Sequence, residues 1–586
     1  MSNNRRRDAM RVRISAAEMA ADRSHPIHQA NGDEQRYASA NYPMSFTKGL
    51  AHDATTGLVA DPQAFESFRT AIDEAYIDAF TTSVRASSEK ARAWEAPTAG
   101  VVYELNGPDP QAVTMAPAPA LGTIELAYEM AEVYELALIR DVPLTELAEG
   151  TTNTTVLDAV SRLNAIGYAL NGEDGRPRLN SGGNITPQNL FRGSSPGVDK
   201  GPYLSQFMLI GNDQPGDPGV AHGRIQYGAL QIDQRVPVAA AQDYLIDWNE
   251  WLQAQNGEDL RDNTTLFNTS QPRRFMTFPR DLATYVHDDA LYEAYLNACL
   301  ILLSMGTPFD PGFAKLAGHG ELFLNSLDIN GALSLETHAR QAGGFALYGG
   351  PHILTLVTEV ATRALKAVRY QKFNNHLRLR PEALAGRIHR ASQIASAFPA
   401  AGAAFADLRT AIDPTVTAVE TANTTAGAST ALLPMAFQEG SPMHPSYGAG
   451  HATVAGACVT VLKAFFDTGC VFVHRGGADI FSRFQSGDTT VQYTPNADGS
   501  SLVATTGQPD QPFLTLEGEL NKLAANISIG RNMAGVHYYS DYYDSLRMGE
   551  KIAIGMLEEQ ALCYPTDPFV MSVPTFDGEV YRIGNR

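Results

Sequence analysis

Apolar residues recur at three- and four-residue steps along most of this chain, the spacing that lines one face of an α-helix. The pattern predicts helices over 64–96, 123–140, 156–170, 239–253, 281–305, 353–369, 381–398, 451–466, 516–527 and 543–559. Strand signals are confined to short runs at 471–473, 490–493 and 502–505, and Asn496-Ala497-Asp498-Gly499 supplies hairpin chemistry for the last pair. Residues 171–223 are rich in Gly, Asn and Pro and read as a long ordered loop region or a functional one. The Ala/Thr-rich stretch 410–431 reads as an insertion or a frayed connection. Residues 1–60 carry little periodicity and are expected to form an extended N-terminal arm, over the body or onto a neighbouring subunit. The fold expected is mainly α, packed helical bundles with minor β-hairpin structure, in a body spanning 61–586.

Composition narrows the function classes. A 44% hydrophobic and 18% charged chain is that of an ordinary soluble globular protein. The net charge of −20 argues against nucleic acid, whose phosphates want a basic face. Any cationic pocket in so acidic a chain must act locally, by preorganised pairing. Cys299, Cys458, Cys470 and Cys563 show no zinc-ligand or disulfide spacing. The N-terminus lacks the apolar core of a secretory signal, and no run approaches the roughly 20 apolar residues that span a bilayer. A soluble, cytoplasmic protein without a membrane partner is expected.

Candidate chemistry centres on His444-Pro445-Ser446-Tyr447-Gly448-Ala449-Gly450-His451, directly before an apolar helix. Gly450 and His451 fall where backbone N–H groups lack intrahelical partners and the helix dipole is positive, a start that binds oxyanions. Two further clusters carry cations beside Pro or Gly: Lys372…Arg380-Pro381, and Arg531…Gly535-Val536-His537. Singly, each reads more readily as surface charge, a cap or a packing residue. Jointly they bring one Lys, two Arg and up to three His to one helix N-terminus, the makings of a tetrahedral-oxyanion site.

Lys372-x7-Arg380-Pro381, the His444–His451 segment and Arg531-Asn532-Met533-Ala534-Gly535-Val536-His537 resemble the three vanadate-binding motifs of the vanadium-dependent haloperoxidases. The seven-residue gap and His444 are most similar to the red-algal and cyanobacterial bromoperoxidases. Related motifs occur in the phosphatidic-acid-phosphatase-type acid phosphatases, since vanadate and phosphate are near-isosteric. The resemblance implies a vanadate cofactor held by residues within 372–537, with His537 the one covalent metal ligand. Lys372, Arg380 and Arg531 would neutralise its oxygens, together with the Gly450 N–H. Lys372 would also draw charge from bound peroxide, His451 would act as acid–base, and His444 would tune the hydrogen-bond network. Relatives usually carry Ser where this chain has Ala449, so that cofactor-contacting position lacks its hydroxyl donor. Gln371 occupies a position tied to halide preference.

The activity implied is oxidation of bromide and iodide by hydrogen peroxide to hypohalous acid, which halogenates small organic acceptors. The enzyme alternative is an acid phosphatase with His537 as nucleophile; the non-enzyme alternative is a helical scaffold whose clusters are surface charges. Relatives assemble as homo-oligomers, up to dodecamers. A structural cation such as calcium is not readable from the sequence.

Overall fold

Four helices pack together at the centre of the core: Gly350–Tyr370, Gly450–Phe465, Leu516–Met533 and Tyr539–Ala561. They belong to a computed structural model that describes residues 2–82, 85, 86, 88, 90–213, 216, 218–261, 271–313, 316, 344–564 and 567–585. Gly450–Phe465 is buried at every residue from Ala452 onward, as befits a helix that is apolar all round. Glycines set its distance from Tyr539–Ala561. A Cβ on Gly456 would stand 2.0 Å from the Leu546 carbonyl oxygen, and one on Gly549 2.0 Å from that of Thr453. Only glycine permits so close an approach, and it fixes the Gly450 end of one helix against Ser545 of the other.

A second layer, Ile124–Leu138, Thr154–Ala165 and Asp413–Thr425, packs beside this group. Minor β-structure sits at the periphery. Val471–Arg475 pairs antiparallel with Ala478–Ser482, Thr489–Pro495 and Leu514–Thr515, and Thr489–Pro495 pairs with Leu502–Thr506. Gly499, at φ 72°, closes the expected hairpin. Two further hairpins, Arg224–Tyr227 with Leu230–Asp233 and Phe569–Pro574 with Val580–Asn585, lie outside the strand signals read from the sequence. The mainly α fold class is as expected.

Several expected helices are shorter or divided. The one expected over 64–96 ends at Glu74, where Ala75 takes a left-handed φ of 60°. That expected over 239–253 begins only at Trp248, capped by the Asp247 carboxylate on the Asn249 and Glu250 N–H groups. The span 281–305 breaks into Pro279–Tyr285 and Glu293–Ser304, and 381–398 divides at Arg390. Residues 410–431 hold a correction in the other direction: Asp413–Thr425 is a regular helix burying Val416 and Val419. Its Ala and Thr residues hid an apolar face supplied by two valines.

The first 60 residues also differ from an extended arm. Ser2–Asp22 is helical, with no buried residue between Asn4 and Gly32. Every residue from Tyr42 to Leu50 is then buried, so this half belongs to the body. Phe46 N donates to the Leu377 carbonyl at 2.6 Å, and the Lys48 ammonium meets Glu382 at 2.6 Å. Among the described residues, no helix is long and apolar enough to cross a membrane.

Candidate anion site

A left-handed helix end, a glycine turn and a helix start bring the sequence clusters together. Helix Gly350–Tyr370 widens into a π-helical turn, Gln371–His376, which carries Lys372 and ends at left-handed Leu377. Such turns occur often at functional sites. Extended backbone through Arg378 then reaches Arg380, the N-cap of Pro381–His389. Helix Leu516–Met533 bears Arg531 in its last turn, and Gly535 at φ 85° reverses the chain so that His537 returns beside it. Gly450 opens its helix toward free space: a Cβ there would meet nothing nearer than Leu365 Cδ2 at 3.7 Å.

Arg380 is the hub. Its Nη1 donates to His537 Nε2 at 2.9 Å and to the Val536 carbonyl at 2.7 Å. Its Nη2 donates to His444 Nδ1 at 2.8 Å, and Nε to the His444 carbonyl at 2.9 Å. A guanidinium only donates, so both imidazole nitrogens facing it are acceptors and both rings are neutral. His537 Nδ1–H points the other way, donating to Asp541 at 2.7 Å. Lys372 Nζ donates to the carbonyls of Pro445 and Ser446 at 2.6 and 3.0 Å, and Arg531 Nη1 to that of Val286 at 2.6 Å. His451 Nε2 pairs with Asp289 Oδ1 at 2.8 Å.

Among the described residues, no carboxylate hydrogen-bonds to Lys372, Arg380 or Arg531, though all three are buried. Arg378, two positions from Arg380, is by contrast matched by Glu129 and Asp541. Desolvation, then neighbouring cations, push Lys372 well below the usual ammonium range; burial takes Arg380 down to about 9 and also lowers Arg531. His537 and His444 are held well below the ordinary histidine value by burial and these cations. Burial lowers His451 too, opposed by Asp289. Nε of Arg531 and Nη1 of Arg369 are buried without a hydrogen-bond partner. Such a site is short of negative charge and of acceptor oxygens. A tetrahedral oxyanion supplies both, so the residues present fit vanadate or phosphate.

Of the residues singled out in the sequence, Lys372, Arg380, His444, Arg531 and His537 converge here, with His451 and Gly450 at the helix mouth. Ala449 is at the N-cap, 1% exposed, but its N–H is already committed to Ser545 Oγ at 2.8 Å. Gln371 is turned away: its amide donates to His28 and to the Val113 carbonyl, both at 3.1 Å. Asp541, Asp289, Arg369 and Glu95 complete the site and were not singled out. His537-x3-Asp541 and Arg369-x2-Lys372 have one-turn spacings that were there to find. Asp289 lies in the break of a span read as continuous helix, so no periodic signal marked it.

Known proteins bear on this geometry. The family profile described as the VCPO second helical-bundle domain matches residues 409–562. The vanadium-dependent bromoperoxidase of Corallina pilulifera is 40% identical over 626 residues, covering 98% of this chain and 97% of that protein. That of Ascophyllum nodosum is 30% identical over 592 residues, covering 99% and 93%. The homohexameric second vanadate-dependent bromoperoxidase of Ascophyllum nodosum superposes with a TM-score of 0.74 at 26% identity, covering 99% of this chain and 90% of its own. At 40% identity over nearly its whole length, the chain belongs to the vanadium-dependent bromoperoxidase family.

Proposed function

We propose that this protein binds one vanadate per subunit and oxidises bromide, and iodide, with hydrogen peroxide to hypohalous acid, which halogenates small organic acceptors. The observation that carries the reading is the buried group of Lys372, Arg380 and Arg531, without carboxylate hydrogen-bond partners among the described residues, around His537, whose acceptor nitrogen meets Arg380. Vanadate, when bound, supplies a Lewis acid that activates peroxide.

The chain's own residues do the rest. His537 offers its Nε2 lone pair as ligand, with Asp541 fixing the tautomer that leaves that nitrogen unprotonated. Lys372, Arg380 and Arg531, with the Gly450 N–H, hold the oxyanion and offset its desolvation. His451 takes and returns protons at the helix mouth, steadied by Asp289. His444 keeps Arg380 aimed at the pocket. The subunits are proposed to assemble as a homo-oligomer, up to a dodecamer, measurable by light scattering.

The test incubates apo-protein with orthovanadate, peroxide and bromide and follows bromination of a phenolic dye. Vanadate-dependent bromination is expected, and its loss in His537→Ala with unchanged circular dichroism. Phosphate release from a phosphomonoester without bromination would replace this reading by a phosphatase; neither activity would leave only a scaffold.

A further inference from the structure

Glu95 stands where the cation group meets solvent. Its side chain is 43% exposed, whereas those of His444 and Arg369 beside it are 9% and 15% exposed. The carboxylate is held in place rather than trailing in water. Glu95 N donates to the Met443 carbonyl at 3.0 Å, and Met443 N donates back to Glu95 Oε1 at 3.2 Å. The other oxygen, Oε2, faces His444 Nε2 at 3.5 Å and Arg369 Nη2 at 4.0 Å; Arg92 Nη2 lies 3.8 Å from Oε1. These contacts are too long for strong hydrogen bonds. Asp541 and Asp289, by comparison, grip their histidines at 2.7 and 2.8 Å. A displaceable negative charge therefore sits at the outer end of a cationic site.

Resting on the haloperoxidase reading, we infer that Glu95 is a built-in competing anion that sets halide affinity. An anion drawn toward this end of the site must share Arg369 and His444 with the carboxylate, or push it aside toward solvent. The field of Glu95 also reaches inward, favouring the charged forms of Lys372, Arg369, Arg380 and Arg531. Its negative charge thus partly stands in for a bound anion throughout the site. Competition of this kind weakens anion binding and blunts its salt dependence.

Glu95→Gln removes the charge, keeps the size and preserves an acceptor for Met443 N. The bromide KM should fall by about tenfold, as expected when a like charge leaves an anion's path, with the change borne by KM more than by kcat. Calorimetric titration of the apo-protein with inorganic phosphate should also show tighter binding in the variant. Glu95→Asp, which keeps the charge but draws it back by one methylene, should fall between. A parent that binds orthovanadate and brominates, with a Gln variant of unchanged or higher bromide KM and unchanged phosphate affinity, would overturn the role of Glu95 alone. A parent that binds no orthovanadate would overturn the functional reading and this inference with it.

Discussion

Asp541 and His537, one helical turn apart, share a 2.7 Å hydrogen bond that decides which imidazole nitrogen faces the cations. The carboxylate takes the Nδ1–H, so Nε2 is left as a lone pair that Arg380 occupies at 2.9 Å. Asp541 is itself held from three sides, by Arg378 at 3.0 Å, by Tyr538 N at 3.1 Å and by the Ser446 hydroxyl. One buried carboxylate thus links the extended Arg378–Arg380 segment, the His444–His451 loop and the His537 turn.

Replacing Asp541 by Asn should weaken vanadate binding by about 10- to 100-fold, the usual cost of losing the charged partner of a ligating histidine. The amide keeps the shape but not the charge, and it allows the wrong tautomer. Titration of apo-protein with orthovanadate measures the effect. A half-saturation within about twofold of the parent's would show that the Asp541 charge does not prepare the ligand.

His444→Phe should alter vanadate affinity as well as halide preference. The sequence alone suggests that this histidine tunes the site by titrating between pH 5 and 8, with little bearing on vanadate. In the structure it accepts from Arg380, which only a neutral ring can do, and burial with Arg369, Lys372 and Arg380 holds it well below the ordinary histidine value. Phe would remove the acceptor that aims Arg380 at the pocket, freeing the guanidinium to turn away from an oxyanion to which each hydrogen bond contributes about 1.5–3 kcal/mol. Weaker orthovanadate binding with an unshifted pH profile is expected. A shifted profile at parental affinity would return His444 to the proton network.

Ala449→Ser should strengthen the site, and two readouts separate how. A hydroxyl reaching the bound oxyanion would contribute about 1.5–3 kcal/mol, tightening vanadate binding tenfold or more. A hydroxyl turned back onto the Gly450–Phe465 helix would act as an N-cap, worth about 1 kcal/mol of stability. A hydroxyl oxygen can accept from the first turn of the helix while its proton faces the pocket, and no side chain caps this helix in the parent. Tighter binding is expected together with a higher melting temperature. A gain in melting temperature alone would assign the hydroxyl to the helix.

The sequence is legible where chemistry is punctuated by Gly or Pro. Arg380-Pro381 and Gly450-His451 open helices, Gly535…His537 marks a chain reversal, and each delivers its side chain to one place. It is much less legible where a residue acts through another. Asp289 reaches His451 from an interrupted helix, and Glu95 reaches the site from a stretch whose periodicity predicted continuous helix. Nor does the pattern distinguish Arg378 from Arg380. The first is matched by Glu129 and Asp541 and the second is not, a difference set by Glu129 on a helix some 250 positions earlier in the chain. The N-terminal half-arm misleads for the same reason: Lys48 is buried because Glu382 is waiting for it.

Stability should fall on acidification through histidines that never meet the anion. Burial, reinforced by Arg387, pushes His52 down to about 3, and burial with Arg378 pushes His376 down to about 3. Both are poised as neutral rings: His52 is bonded to Thr47 at 2.9 Å, and His376 stacks edge-on against Tyr447 at 4.6 Å. An unfolded histidine binds its proton near pH 6.5. Between about 6.5 and 3 the unfolded chain therefore carries a proton that the folded chain refuses, and stability rises with pH across that window. Above it these residues contribute no slope; within it each costs about 1.4 kcal/mol per pH unit lowered. His52→Gln and His376→Gln should each flatten the acid limb by about one proton, leaving the neutral plateau to report any packing loss. Urea midpoints from pH 4 to 8 supply the comparison. Because His376 lies against the loop bearing His444 and His451, its variant should also keep orthovanadate affinity to lower pH than the parent. Parallel acid limbs for parent and variants would place the titration elsewhere, in the buried carboxylates.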